Sequence, residues 1–226
     1  MELLKSNPVI DKKYKPAPNL DYQEYFNRAM VFAQTNYQEQ LDKVAKTQFR
    51  KLSPTSFFEE YVWCVCCVGE EPQTVSEYFP ALTQRLTPFY HSFWDLNNFP
   101  KQEEIKERVL EVFPNHDKFH AIINCASIIN KGIKLYGWDF YRDNFLNKPE
   151  KLVALPMMGI VSSRQLARNV GASAKTISSS RLYNLASHWG FVSVDEMCKT
   201  IQKHVPMQIK VIELILWYAA TTFECP

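Results

Sequence analysis

Apolar residues recur at helical spacing in segment after segment of this chain, and no segment alternates apolar and polar residues with period two. Neither Asn-Gly nor Asp-Gly, the strongest short hairpin signals, occurs anywhere. The spacing predicts an all-α fold of about ten short helices. A helical pattern runs from Asp21 to Arg50 through Tyr25, Phe26, Ala29, Val31, Phe32 and Ala33. Ser53–Pro54–Thr55 then signals a new start, with a capping serine and a proline at the first helical position. Phe57, Phe58, Tyr61, Val62, Cys64, Val65 and Val68 are apolar almost all round, so this is the central helix, closed by Gly69. Further helices are expected at about 74–94 and 101–113, with Pro100 and Pro114 as breaks, and at 117–135, 137–146 and 149–155. Segments 160–170, 179–189, 193–204 and 207–223 complete the set, without an internal repeat.

The 226 residues are 46% hydrophobic and 14% aromatic, enough to bury a core in one large domain or two small lobes. Six glycines, with neither GxxxxGK[ST] nor GxGxxG, exclude the glycine-rich phosphate loops. No apolar run approaches the roughly 18 residues of a membrane span, and the lysines and prolines of MELLKSNPVIDKKYKPAP do not suit a signal peptide. The expectation is a cytoplasmic monomer without a membrane partner, residues 1–20 forming an arm over the surface of a domain at 21–226. Three of the six cysteines lie in VWCVCCV, and reduced thiols are expected. Cys64 and Cys67 have CxxC spacing, but no second pair or suitable histidine follows, so no metal and no cofactor are expected.

Function concentrates in residues 151–171, KLVALPMMGIVSSRQLARNVG. A helix ends at Leu155, Pro156–Met157–Met158–Gly159 make a tight turn, and a second helix starts near Ile160. Glycine permits close backbone approach to a ligand. The amides opening the second helix lack intrahelical acceptors and, with the helix dipole, favour an anion such as a DNA phosphate. Ser162 and Ser163 offer hydroxyls in the first turn. From 151 to 194 stand Lys151, Arg164, Arg168, Lys175 and Arg181 with no Asp or Glu, a local basic footprint in a chain of net charge +2. The same residues also suit a plain helical hairpin with a solvated basic face.

LPMMGIVSSRQLARNVG resembles the hairpin of the helix-hairpin-helix DNA glycosylase superfamily, in a short branch with a pattern close to LPxIGxxTxxxLAxNLG. FFEEYVWCVCCVG (57–69), VFPNHDKFHAI (112–122) and VIELILWYAA (211–220) agree in order, so the resemblance covers about residues 50–220. It implies two α-helical lobes around a central cleft, duplex DNA held by Pro156, Met157, Gly159, Val161, Ser162, Ser163, Arg164, Arg168 and Arg181, and one nucleotide turned out into a pocket. In the family an Asp after the hairpin helix stabilises charge developing on the sugar. Here ASAKTISSSRLYNLASHWGF (172–191) places Ser179 there when aligned backward from Leu182 and Gly190–Phe191, or Ser178 when aligned forward from Gly171. A neutral hydroxyl does not replace a carboxylate in that role. The lysine of bifunctional members is replaced by Ile160–Val161, and the four-cysteine cluster motif is missing.

Similar families occur in bacteriophage pathways that hypermodify thymine, where an amine or amino acid displaces phosphate or pyrophosphate from activated 5-hydroxymethyluracil. That chemistry lies outside the ring and does not need the sugar-stabilising Asp. The resemblance thus implies a DNA base-modifying transferase, with Lys175, Ser178, Ser179 and Arg181 around the phosphate and an amino acid or amine as co-substrate. The alternatives are a monofunctional glycosylase using Asp139 or Glu60 as a displaced acid, and a DNA-binding module without catalysis. Asp139 and Asp143 in GWDFYRDNF would face the cleft in the family layout. Glu59 and Glu60 are first-turn residues favoured by the helix dipole or, for the family, pocket acids. His116 and His120 have chelating spacing without an evident third ligand. Tyr136, Trp138, Phe140 and Tyr141 suit either base stacking or a core.

Overall fold

Caps and prolines open the helices of the computed structural model close to where the sequence places them. Residues 21–172, 176 and 179–222 are described; the expected arm at 1–20, Lys175 and Ser178 lie outside them. Among the described residues the fold is all-helical: α1 (Tyr22–Lys46), α2 (Pro54–Cys66), α3 (Pro72–Arg85), α4 (Thr87–Ser92), α5 (Gln102–Leu110), α6 (His116–Tyr136), α7 (Trp138–Phe145), α8 (Pro149–Leu152), α9 (Ile160–Asn169), α10 (Ser180–His188), α11 (Val194–Gln202) and α12 (Ile209–Thr222). A 3-10 turn, Phe49–Lys51, precedes α2. No helix among the described residues is long and apolar enough to cross a membrane.

Ser53 caps α2 by accepting the Ser56 amide at 3.0 Å, with Pro54 in the first turn. Asn115, Ser179 and Ser193 cap α6, α10 and α11 in the same way. The helix expected over 74–94 is two, α3 and α4, because the backbone turns at Leu86 and Pro88 restarts the helix. Gly171 (φ 73°) ends α9: its amide donates to Arg168 O at 3.0 Å and the Ala172 amide to Ala167 O at 2.8 Å. These two bonds define a Schellman motif, whose left-handed residue favours glycine. An added Cβ there would also lie 3.1 Å from Thr47 O.

The chain divides into two compact units. One spans residues 46–174, with α2 at its centre packed on α6 and α9. Its core gathers Phe57, Phe58, Tyr61, Val62, Phe89, Phe119, Ile122, Ile129 and Leu166. The other unit joins the segment before residue 46 to the segment after 174. There Tyr25, Phe26, Ala29 and Tyr37 of α1 share a core with Leu182, Leu185, Met197, Ile201, Ile215 and Tyr218. Tyr37, where α1 is kinked (φ −138°), stacks on Tyr218 with centroids 3.9 Å apart. The described cysteines are free thiols. Burial raises those of Cys64, Cys125 and Cys198, and pushes Cys66 up to about 12, so they stay protonated.

Candidate nucleic-acid interface

The hairpin is α8, the turn 153–159 and α9, and α8 and α9 pack directly on each other. Its inner side is set by burial: Leu152, Leu155, Met158, Leu166, Ala167 and Val170 enter the core. A buried hydroxyl holds the turn. Tyr61 Oη lies 2.8 Å from Pro156 O and 3.1 Å from Ala121 O, with one proton for both acceptors. Burial raises the Tyr61 hydroxyl far above its usual range, so it remains a donor.

The outer side is exposed and largely apolar: Val153, Met157, Gly159, Ile160 and Val161 face solvent, Ile160 at 66%. The sharp bend expected of Gly159 is made by Met157 instead, at φ 55°. Gly159 has φ −80° and ψ −178°, extended backbone open to any residue. A Cβ on it would meet only Ser162 Oγ, at 3.9 Å, which is ordinary contact. Nothing among the described residues therefore requires glycine at this corner. By position, the amides of Ile160, Val161 and Ser162 open α9 without intrahelical acceptors.

Two of the expected contacts are corrected. Ser163 is 1% exposed, its hydroxyl donating to Ile160 O at 3.0 Å, so it faces inward. Arg168, also 1% exposed, is taken out of the basic footprint by burial: its Nε donates to Asn169 Oδ1 at 3.0 Å. Asn169 Nδ2 in turn donates to Glu60 Oε2 at 3.1 Å, joining α9 to α2. Ser162 is half-buried; its hydroxyl accepts the Gly159 amide at 2.9 Å, half of a capping box. Arg164 and Lys151 are exposed, the latter donating to Asn144 O, and Arg181 is half-buried.

The remaining candidates are dispersed. Ser179 is the N-cap of α10, accepting the Leu182 amide at 3.2 Å. Asp139 is exposed and pairs at 2.8 Å with Arg142, which also binds Asp143 and lies over the Phe49 ring. The hydrogen bond from Arg142 holds the Asp143 carboxyl below its ordinary value. Glu59 and Glu60 lie beyond the first turn of α2, which starts at Pro54, and Glu60, 7% exposed, is engaged by Asn169. His120 Nδ1 lies 3.1 Å from Gln102 Nε2, and no group of three or more metal-ligating side chains forms among the described residues. Of the aromatics, Tyr141 is buried and Trp138 half-buried with its indole donating to Leu52 O at 2.6 Å. Tyr136 and Phe140 are exposed and stacked on one another. Sequence reasoning missed Tyr61 as the clamp and Glu60–Asn169 as the brace, since each pairing joins residues far apart in the chain.

No family model, no curated protein and no solved structure matches this chain.

Proposed function

We propose that the chain is a DNA base-modifying enzyme on a two-lobed, helix-hairpin-helix glycosylase-like scaffold. It grips duplex DNA through the hairpin and transfers an amine or amino acid onto phosphorylated 5-hydroxymethyluracil turned out of the stack. The observation that carries the DNA-binding reading is Gly159. It is exposed at the head of a ten-residue helix, and neither its dihedrals nor its packing needs glycine. A missing side chain there serves a ligand that approaches the backbone, and three amides with the helix dipole suit a phosphate. Exposed Arg164 and Lys151 add positive charge.

The chemistry is narrowed by the acids. None lies between 151 and 194, where the family's sugar-stabilising Asp would stand. Displacement outside the ring does not ask for one. The amine nitrogen attacks the methylene carbon, the carbon–oxygen bond to phosphate breaks, phosphate leaves with the electron pair, and the nitrogen sheds a proton. Lys175, Ser178, Ser179 and Arg181 are assigned to the phosphate; a serine that accepts a cap bond still has a proton to donate.

The test is incubation with duplex DNA carrying phosphorylated 5-hydroxymethyluracil and free amino acids, followed by nucleoside mass analysis. An amine-substituted nucleoside is expected. Abasic sites in its place would assign a glycosylase, and salt-dependent binding with neither product would assign a module without catalysis.

A further inference from the structure

Helix α9 carries polar side chains into the core of its own unit. Asn169 and Arg168 form the end of this stripe next to Glu60, and Gln165 stands one turn earlier. Gln165 is 8% exposed, and its Nε2 has no hydrogen-bond partner among the described residues. A leucine would occupy similar volume without stranding a donor, so packing alone does not account for an amide here. The turn before it carries Val161, exposed, and Ser162. Standing three and four residues before Gln165, these two are its neighbours along the face of α9.

We propose that Gln165 is a specificity-determining residue, a role that rests on the DNA-binding reading above. Its Nε2–H donates to an oxygen of the everted nucleotide, either a pyrimidine carbonyl or a phosphoryl oxygen on the 5-substituent. Both are acceptors, and an amide donor without a partner calls for one. Rotation about the terminal side-chain torsion, which is soft, swings the donor toward the incoming base.

The test uses the full chain and three duplexes that differ at one mismatched position, where eversion is easiest. The position carries an abasic tetrahydrofuran, 5-hydroxymethyluracil, or the phosphate ester of 5-hydroxymethyluracil. Gln165→Leu abolishes donation, and Gln165→Glu replaces the amide donor by a carboxyl while keeping the side chain's shape. Both should bind the abasic duplex within about twofold of wild type and lose about tenfold in preference for a base-bearing duplex. Loss already seen with 5-hydroxymethyluracil assigns the carbonyl, and loss confined to the phosphate ester assigns the phosphoryl oxygen. Gln165→Leu should also unfold at or above the wild-type temperature. Wild-type preferences in both variants, with duplex binding intact, would overturn this role alone. A wild-type protein that binds none of the three duplexes would overturn it together with the DNA-binding reading.

Discussion

A Cβ added to Gly132 would lie 2.4 Å from Tyr141 Cε2 and 2.6 Å from two more ring atoms. Tyr141 is buried and stacked on Phe145, so its ring has little room to retreat. Gly132→Ala should destabilise by about 1–2 kcal/mol, overpacking outweighing alanine's better helix propensity. In urea denaturation, the Gly132→Ala/Tyr141→Ala double variant should cost no more than Tyr141→Ala alone. The sequence shows the glycine inside a helical pattern and not its reason, because the ring that needs the gap belongs to the next helix. Lys118 presents a second case. It is buried, and its Nζ donates to Glu70 Oε1 at 2.6 Å and to Cys66 O at 2.8 Å. Partial burial works against ionisation of Glu70, but the hydrogen bonds from Lys118 and Tyr78 prevail and hold its carboxyl below the ordinary value. A carboxyl depressed in the folded state contributes stability above its unfolded pKa of about 4.3 and loses it as pH falls through the lower folded value. The urea midpoint of wild type should therefore fall more steeply between about pH 5 and pH 3 than that of Glu70→Gln.

The hairpin combines a buried side that was legible with a turn that was not. The helices expected at 149–155 and 160–170 are there, and Leu155, Leu166 and Val170 are core. The left-handed residue was not legible: Met157 takes φ 55° while the nearby glycine stays extended. The hydroxyl that bonds to the turn was hidden as well, since Tyr61 lies 95 residues from Pro156. Tyr61→Phe should lower stability by about 1–2 kcal/mol and leave the helical content intact, measured by denaturant titration. Gly159→Ala separates fold from function more sharply. With an extended backbone and only Ser162 Oγ at 3.9 Å, alanine should change stability by less than about 0.5 kcal/mol. If a phosphate approaches this corner, the same methyl should weaken duplex binding about tenfold or more in a salt titration. Unchanged binding would remove the hairpin from the interface. Arg168 shows the limit of counting charge along a segment. Its position among bases does not show that it is buried with its Nε on Asn169 Oδ1.

At the scale of the chain, apolar periodicity reveals which face of each helix is buried but not what buries it. The pattern from Asp21 onward was legible as a helix; its membership of the unit built from α10, α11 and α12 was not, since more than 120 residues of the other unit intervene. The two units therefore differ in how they depend on the chain. Residues 46–174 are continuous and own a core that includes nothing from outside that range. The other unit draws Tyr25, Phe26, Ala29, Ala33, Tyr37, Leu41 and Val44 from α1, and Tyr37 stacks directly on Tyr218. A segment of roughly fifty residues is marginal in the surface it buries by itself, and this one leaves the α1 half of its core unfilled. A 46–174 fragment should accordingly keep its helical circular dichroism and unfold cooperatively. A 175–226 fragment should be largely unfolded and gain helicity when a 21–45 peptide is added, because that peptide restores the missing half of its core. Stable folding of 175–226 without the peptide would mean that α1 covers a finished unit instead of completing it.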